Sequence, residues 1–247
     1  MSDVTINGPH PHPLLGQMLA VDFSPKKVCS FDCLYCGVGM NTTRKTMARE
    51  DFRPVDDVVS AVDAYMAEND PPNTFFLTGS GEPTLYTGYG EMVRVLREKY
   101  PDVACTIYTN GSLLADPVVR EEISACDPVM GNLNTVDERV FARLNRPDPQ
   151  ASLPTTIAGF KTLRSELVSQ RLWLDGVFVK GINDEPDALR KLGETIAEIG
   201  PDLYIVRTAP RETEGLCERV DPSFQECVEK AWEGLDIQVR FFLPPAS

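Results

Sequence analysis

The chain has 247 residues and a mass of 27.4 kDa, enough to bury one substantial core. Its 24 Lys+Arg against 37 Asp+Glu leave a formal charge of −13. That excess of anions argues against general nucleic-acid binding, an affinity built from basic side chains neutralising phosphates. Hydrophobic residues at 42% and charged residues at 25% describe a globular composition, and no apolar run approaches the ~20 residues that span a bilayer. Residues 1–13 lack the basic and apolar regions of a signal peptide. A soluble, cytoplasmic, single-domain protein with no membrane partner is expected.

In chain order, a short N-terminal extension at 1–16 precedes a core at about 17–207. Short apolar segments at 18–23, 74–78, 104–109, 128–133, 172–179 and 203–207 read as strands. Between and after them lie helical patterns at 55–68, 89–99, 117–125, 154–167, 187–199 and 223–233. Val55, Val58, Val59, Val62 and Met66 fall on one face of the first helix. Within 221–243 a terminal helix is followed by an apolar stretch at 237–243 that reads as one further strand. Strand–helix alternation predicts an α/β fold with parallel strands joined by right-handed crossovers, either a partial (β/α)6 barrel or an open doubly wound sheet. Ligands then gather at the strand C-terminal ends. The segments 29–36, 79–84, 110–111, Asn134 and 180–183 each follow one of these strands, so they converge on one rim.

Seven cysteines, an odd number with three of them at Cys29, Cys33 and Cys36, do not form a disulfide framework. The C-x3-C-x2-C spacing can curl three thiolates around a corner of an inorganic cluster. Iron–sulfur clusters are ordinarily held by four cysteines, and structural zinc takes four closed ligands. The nearest fourth cysteine is the distant Cys105, and the two histidines, His10 and His12, stand in a Pro-rich stretch. Three protein ligands would leave one iron open to a small molecule. From the residues alone, an electron-transfer protein completed by Cys105 or Cys126 and a structural zinc domain remain rival readings. Cys217 and Cys227 are read as bystanders.

The cysteine spacing, with the aromatic Tyr35 before the last cysteine, resembles the radical S-adenosylmethionine superfamily. The resemblance implies a [4Fe–4S] cluster on Cys29, Cys33 and Cys36 whose open iron chelates S-adenosyl-L-methionine. One electron then cleaves the sulfonium bond, giving methionine and a 5′-deoxyadenosyl radical that abstracts hydrogen from a substrate. It also implies an external one-electron donor of flavodoxin or ferredoxin type. Gly79-Ser80-Gly81-Glu82 resembles the family's Gly-Gly-Glu turn, which receives the methionine ammonium, with Ser80 in place of the first glycine of the pair. By the same resemblance Tyr35 lies against adenine, Asn110 bonds the cofactor or its neighbours, Asn134 bonds the ribose, and Lys180 balances the cofactor carboxylate. Arg143, Arg146, Arg207 and Arg211 supply positive charge suited to an anionic substrate or to helix capping.

Longer matches, among them Val21-Asp22-Phe23-Ser24-Pro25, Asn145-Arg146-Pro147 and Val179-Lys180-Gly181-Ile182-Asn183-Asp184, resemble a compact branch related to archaeal wyosine-forming tRNA enzymes. Those enzymes carry cysteines upstream of the signature for a second cluster, and none precedes Cys29 here. The compactness resembles the activating enzymes of glycyl-radical proteins, so the expected substrate is a small molecule or a peptide or protein.

Overall fold

The computed structural model describes residues 4–210 and 216–243. Its first elements are the strands β1 (Thr5–His12) and β2 (Gly16–Asp22), followed by the two-residue strands β3 (Val28–Cys29) and β4 (Arg44–Lys45). Helix α1 (Val55–Glu68), β5 (Thr74–Thr78), α2 (Tyr89–Lys99), β6 (Ala104–Thr109), α3 (Pro117–Ile123) and β7 (Val129–Asn132) come next. Then follow α4 (Glu138–Asn145), α5 (Leu153–Glu166), β8 (Leu172–Phe178), α6 (Pro186–Ile199), β9 (Leu203–Thr208), α7 (Phe224–Ala231) and β10 (Val239–Phe242).

Among the described residues an eight-stranded sheet runs in the order β1-β2-β5-β6-β7-β8-β9-β10. Only β1 pairs antiparallel to its neighbour, and every other pairing in that sheet is parallel. Each parallel strand lies beside its predecessor in the chain. The sheet is therefore wound in one direction, which makes it a partial barrel and not a doubly wound sheet. The expected strand at 237–243 is β10, so the parallel series extends beyond six.

The helix boundaries follow from local chemistry. Asp116 caps α3 by accepting from Val118 N, with Pro117 at the first turn where a missing N–H costs nothing. Asp137 accepts from Arg139 N and Val140 N to start α4, and Gly200 ends α6 at φ 67°, a left-handed position that glycine takes without strain.

Alternate residues of the strands face opposite sides of the sheet. Ile107, Val129, Leu172, Leu174, Tyr204 and Val206 join Leu114, from the turn before α3, and the helix residues Phe160, Leu163 and Ile196 in the large core. Met130, Trp173, Leu203 and Ile205 instead form a separate cluster with Leu15, from the turn between β1 and β2. That hairpin plugs the inner face of the barrel from below, and so the cavity opens at the strand C-terminal ends.

Phe160 of α5 lies against Gly131 of β7, where an added Cβ would fall 2.3 Å from the ring. Gly131→Ala should therefore destabilise the protein by about 1–3 kcal/mol through overpacking. Adding Phe160→Leu should make the double variant less unstable than the sum of the single ones. Urea unfolding measures both, and an unchanged midpoint in Gly131→Ala would contradict the packing.

Candidate active site

The cysteine loop leaves β2, makes the short pair β3–β4, and is fixed by elements far along the chain. Gly81 sits against the backbone of Val28: a Cβ there would come 1.7 Å from the Val28 carbonyl oxygen. The adjacent Glu82 N–H donates to that same oxygen at 3.0 Å. On the other side, Asp32 N and Leu34 N donate to the carbonyls of Asn145 and Leu144, the last residues of α4, at 3.1 and 3.0 Å. Arg146, next along at φ 48°, closes an ion pair with Asp32 at 2.6 Å. Burial pushes the Asp32 carboxyl up, but hydrogen bonds from Thr42 and the charges of Arg146 and Lys27 outweigh it and hold it below its ordinary value.

Cys29, Cys33 and Cys36 all line one cavity of about 770 Å³, within the size range of small-molecule sites. Sulfur hydrogen bonds orient two of them. Phe31 N and Asn110 Nδ2 approach Cys29 Sγ at 3.4 and 3.6 Å, and Asn145 Nδ2 approaches Cys33 Sγ at 3.4 Å. Burial pushes the Cys33 thiol up to about 11 and raises Cys29 well above its ordinary value. Bare, these side chains are neutral thiols; a bound metal reverses that by favouring the thiolate. Cys105 and Cys126 are buried away from the cavity lining, Cys217 packs beneath the loop with Leu34 and Tyr35, and Cys227 is exposed. Three thiols, two of them with N–H donors on their sulfurs, and no fourth cysteine among the described residues of the cavity lining fit a cluster that keeps one iron open. Among the described residues, no three Cys, His, Asp or Glu side chains are grouped to hold a single metal ion.

Gly79, Ser80, Gly81 and Glu82 line the same cavity. Ser80 is tied down rather than free: its N–H donates to Ser24 Oγ and its hydroxyl to Asp22 Oδ2, both at 2.6 Å. Glu82 is buried and accepts from four donors: Thr84 N, Thr84 Oγ1, Thr109 Oγ1 and Asn110 N, at 2.6–3.2 Å. Burial nevertheless leaves its carboxyl above the ordinary range, because desolvation outweighs those bonds.

Tyr35 and Asn110 also reach the cavity, whereas two other expected residues do not. Asn134 is buried beneath it, donating to Tyr35 Oη at 2.8 Å and accepting from Val177 N at 2.8 Å. Its amide thus holds protein groups. Lys180 lies outside the cavity because its backbone N–H is held by Glu218 O, at 3.0 Å, and its ammonium pairs outward with Asp221 at 3.0 Å. Arg143 is exposed, and Arg211 lies outside the described residues.

The cavity floor holds a polar layer of which sequence reading singled out Arg207 alone. Asp175, fully buried in β8, pairs with Arg207 Nε and accepts from the Tyr108 hydroxyl. Arg207 also donates to Tyr108 Oη at 3.2 Å and lies over its ring, 5.6 Å from the centroid. Asn132 donates to Tyr108 Oη and to Asp175 Oδ1, at 3.1 and 3.2 Å, and accepts from the Tyr35 hydroxyl at 2.8 Å. The available signal was a lone carboxylate in the otherwise apolar run Leu172-Trp173-Leu174-Asp175-Gly176-Val177-Phe178. A buried charge is tolerated only when paired, and removing its partner costs about 3–5 kcal/mol.

The contact at Gly81 yields a direct expectation. Gly81→Ala should displace Val28 and with it Cys29, so that iron bound per chain after anaerobic reconstitution falls several-fold. Far-UV circular dichroism should stay close to that of the parent, and full iron uptake by the variant would contradict this role for Gly81.

Comparison with known proteins places this geometry in context. The chain is 28% identical, over 91% of its length, to a Brachyspira hyodysenteriae protein named GTPase Obg, of which it covers 32%. It is 30% identical, over 83% of its length, to UPF0026 protein MJ1312 of Methanocaldococcus jannaschii, of which it covers 63%. The chain thus spans about one third and just under two thirds of these relatives. In fold it is similar to Streptococcus suis SuiB bound to S-adenosylmethionine, with a TM-score of 0.65 at 17% identity, over 90% of this chain and 49% of that one. The family model described as the Radical SAM superfamily matches residues 23–192, more than half the chain and the whole stretch from the end of β2 into α6. With that match, the chain belongs to the Radical SAM superfamily, whose cofactors are a [4Fe–4S] cluster and S-adenosylmethionine.

Proposed function

We propose that this chain is an enzyme that cleaves S-adenosylmethionine reductively and uses the result to abstract hydrogen from a substrate. The observation that carries the reading is the convergence of three thiols, the glycine turn and Glu82 on one cavity. When bound, a reduced [4Fe–4S] cluster on Cys29, Cys33 and Cys36 would supply the one electron needed to cleave S-adenosylmethionine to methionine and a 5′-deoxyadenosyl radical.

Cys29, Cys33 and Cys36 would hold three irons, with Asn110 and Asn145 keeping two of the sulfurs oriented through their N–H donors. Gly79, Ser80 and Gly81 would present backbone to the methionine end. Glu82 would receive the ammonium, and a cation there favours the ionised carboxylate that burial alone disfavours. Tyr35, its hydroxyl pinned from below by Asn132 and Asn134, would offer a fixed wall to the adenine. The role for Asn134 is then to position Tyr35, and none is proposed for Lys180. Val38, Phe242 and Leu243 at the cavity edge would limit water around the reacting atoms.

The electron donor is proposed to be a flavodoxin- or ferredoxin-type protein of the cytoplasm. Motifs such as Asn145-Arg146-Pro147 support a place near the wyosine-forming branch, while the charge of −13 favours a substrate other than tRNA.

The test is anaerobic reconstitution with iron and sulfide, reduction with dithionite, and chromatography after adding S-adenosylmethionine. 5′-Deoxyadenosine should accumulate with the parent chain and fall at least 100-fold in Cys33→Ala. Chelation of iron before reduction should abolish it. A protein that takes up four irons but neither binds nor cleaves S-adenosylmethionine would instead be an electron-transfer protein.

A further inference from the structure

The residues proposed to touch the cofactors come from the loops after β2, β5 and β6, with Asn134 and Asn145 supporting them from behind. The other half of the cavity is built by β8, β9 and the segments beyond them. Its lining differs in chemistry: Val177, Ala209, Phe242 and Leu243 are apolar, and Arg207 and Arg219 are cationic. Among the described residues that line the cavity, Glu82, buried on the cofactor side, is the one carboxylate. In a chain of net charge −13, two arginines on one wall of a cavity call for a local explanation.

Arg207 is the better-built of the two cations. Its Nε is paired with the buried Asp175, and one N–H of Nη2 is spent on the Tyr108 hydroxyl. The side chain remains 39% exposed, so guanidinium N–H groups are left over on the cavity side. The guanidinium is held by the carboxylate, a hydroxyl and an aromatic face, which fix its plane. A pre-set, planar fork of N–H donors matches an oxyanion bidentately. Arg219, tied through Nε and Nη2 to the carbonyls of Ala209 and Pro210 at 3.2 and 2.9 Å, stands at the rim of the same half.

Resting on the reading that the β2–β6 side serves the cofactor, we propose that the β8–β10 half of the cavity is the substrate site, and that it takes a small molecule with an apolar body and a carboxylate or phosphate anchored by Arg207, with Arg219 at the rim. The Asp175–Tyr108–Asn132 layer orients that anchor from below. The anion fixes one end of the substrate at the floor, and the apolar wall holds the remainder, which carries the hydrogen to be removed, beside the cofactor half.

The experiment uses the full-length, anaerobically reconstituted protein and measures binding of benzoate, phenyl phosphate and the neutral benzamide by titration calorimetry, with S-adenosylmethionine measured separately. At least one of the two anions should bind saturably and at least 10-fold more tightly than benzamide, the tighter of the two identifying carboxylate or phosphate. Arg207→Gln should weaken that anion at least 10-fold while S-adenosylmethionine binding changes less than 3-fold. Arg207→Gln strands Asp175, so the paired variant Asp175→Asn/Arg207→Gln, with no buried charge left over, and the rim variant Arg219→Gln are measured beside it, each with a thermal melt. The proposal is overturned if neither anion binds, if benzamide binds as well as the anions, or if folded variants lacking Arg207 keep the anion affinity. It is also overturned if S-adenosylmethionine displaces the anion and is itself weakened equally by Arg207→Gln, since the guanidinium would then serve the cofactor carboxylate. Failure of the parent chain to bind S-adenosylmethionine, with the Arg207-dependent anion site intact, would refute the function proposed above and leave the anion site standing.

Discussion

Everything at the cavity mouth depends on holding an irregular loop in place. From Ser30 to Thr43 the chain makes no regular element, so its position must come from bonds to other parts of the fold. Two backbone hydrogen bonds to the end of α4, one from Asp148 N to the Ser30 carbonyl, and one from Glu82 N to the Val28 carbonyl just before the loop supply part of that constraint. The last four carbonyls of a helix have no partner within it; here two of those at the end of α4 are used to fix the cysteine loop. Arg146, left-handed at the helix end, turns the chain so that its side chain reaches Asp32. The same helix terminus supplies Asn145, which touches both Cys33 Sγ and the Tyr35 hydroxyl. One helix end therefore sets both the backbone and the side chains of the loop.

Below the loop the inner face is stratified. The hairpin residue Leu15 with Trp173 and Ile205 closes the bottom with apolar volume, and the next inward positions on the same strands, Asp175 and Arg207, begin the polar layer. The change from apolar to charged over two residues reflects the period of a strand, which returns a side chain to the same face at every second position. Burying the Asp175 carboxylate is expensive, and its pairing with Arg207, Tyr108 and Asn132 offsets that cost while fixing the guanidinium at the cavity floor. A polar network of this kind stays rigid only if its members are satisfied together.

Much of the architecture was legible because its signals are local. Apolar strand cores at 74–78 and 104–109 and the periodic valines of α1 appear where expected, and the progressive strand order decides between the two windings that alternation leaves open. The hairpin strand β1 was not legible: Thr5-Ile6-Asn7-Gly8-Pro9-His10-Pro11-His12 holds two prolines and a glycine, which weaken any strand pattern and are tolerated here because β1 is an edge. Helix α4 is short, and its Arg143-Leu144-Asn145-Arg146 end reads as a charge cluster; only the fold shows that Arg146 and Asn145 serve the cysteine loop. The cysteines, the glycine turn and Asn110, singled out by spacing and position after strands, all line one cavity. Tyr108, Asn132 and Asp175 were missed as site residues because each gains its meaning from partners on other strands, which no local window displays. Asn134 and Lys180 illustrate the converse: a polar residue after a strand lies near the rim, but burial in one case and an outward ion pair in the other keep it from the cavity.

The central claim is that three cysteines hold a four-iron cluster with one iron open to S-adenosylmethionine. Electron paramagnetic resonance of the dithionite-reduced, reconstituted chain tests it most directly, recorded with and without S-adenosylmethionine. The expected result is a reduced four-iron signal whose shape and g-values change when S-adenosylmethionine is added, because a ligand arrives on the iron itself. A four-iron signal indifferent to S-adenosylmethionine, or a chain that retains no cluster, would contradict it.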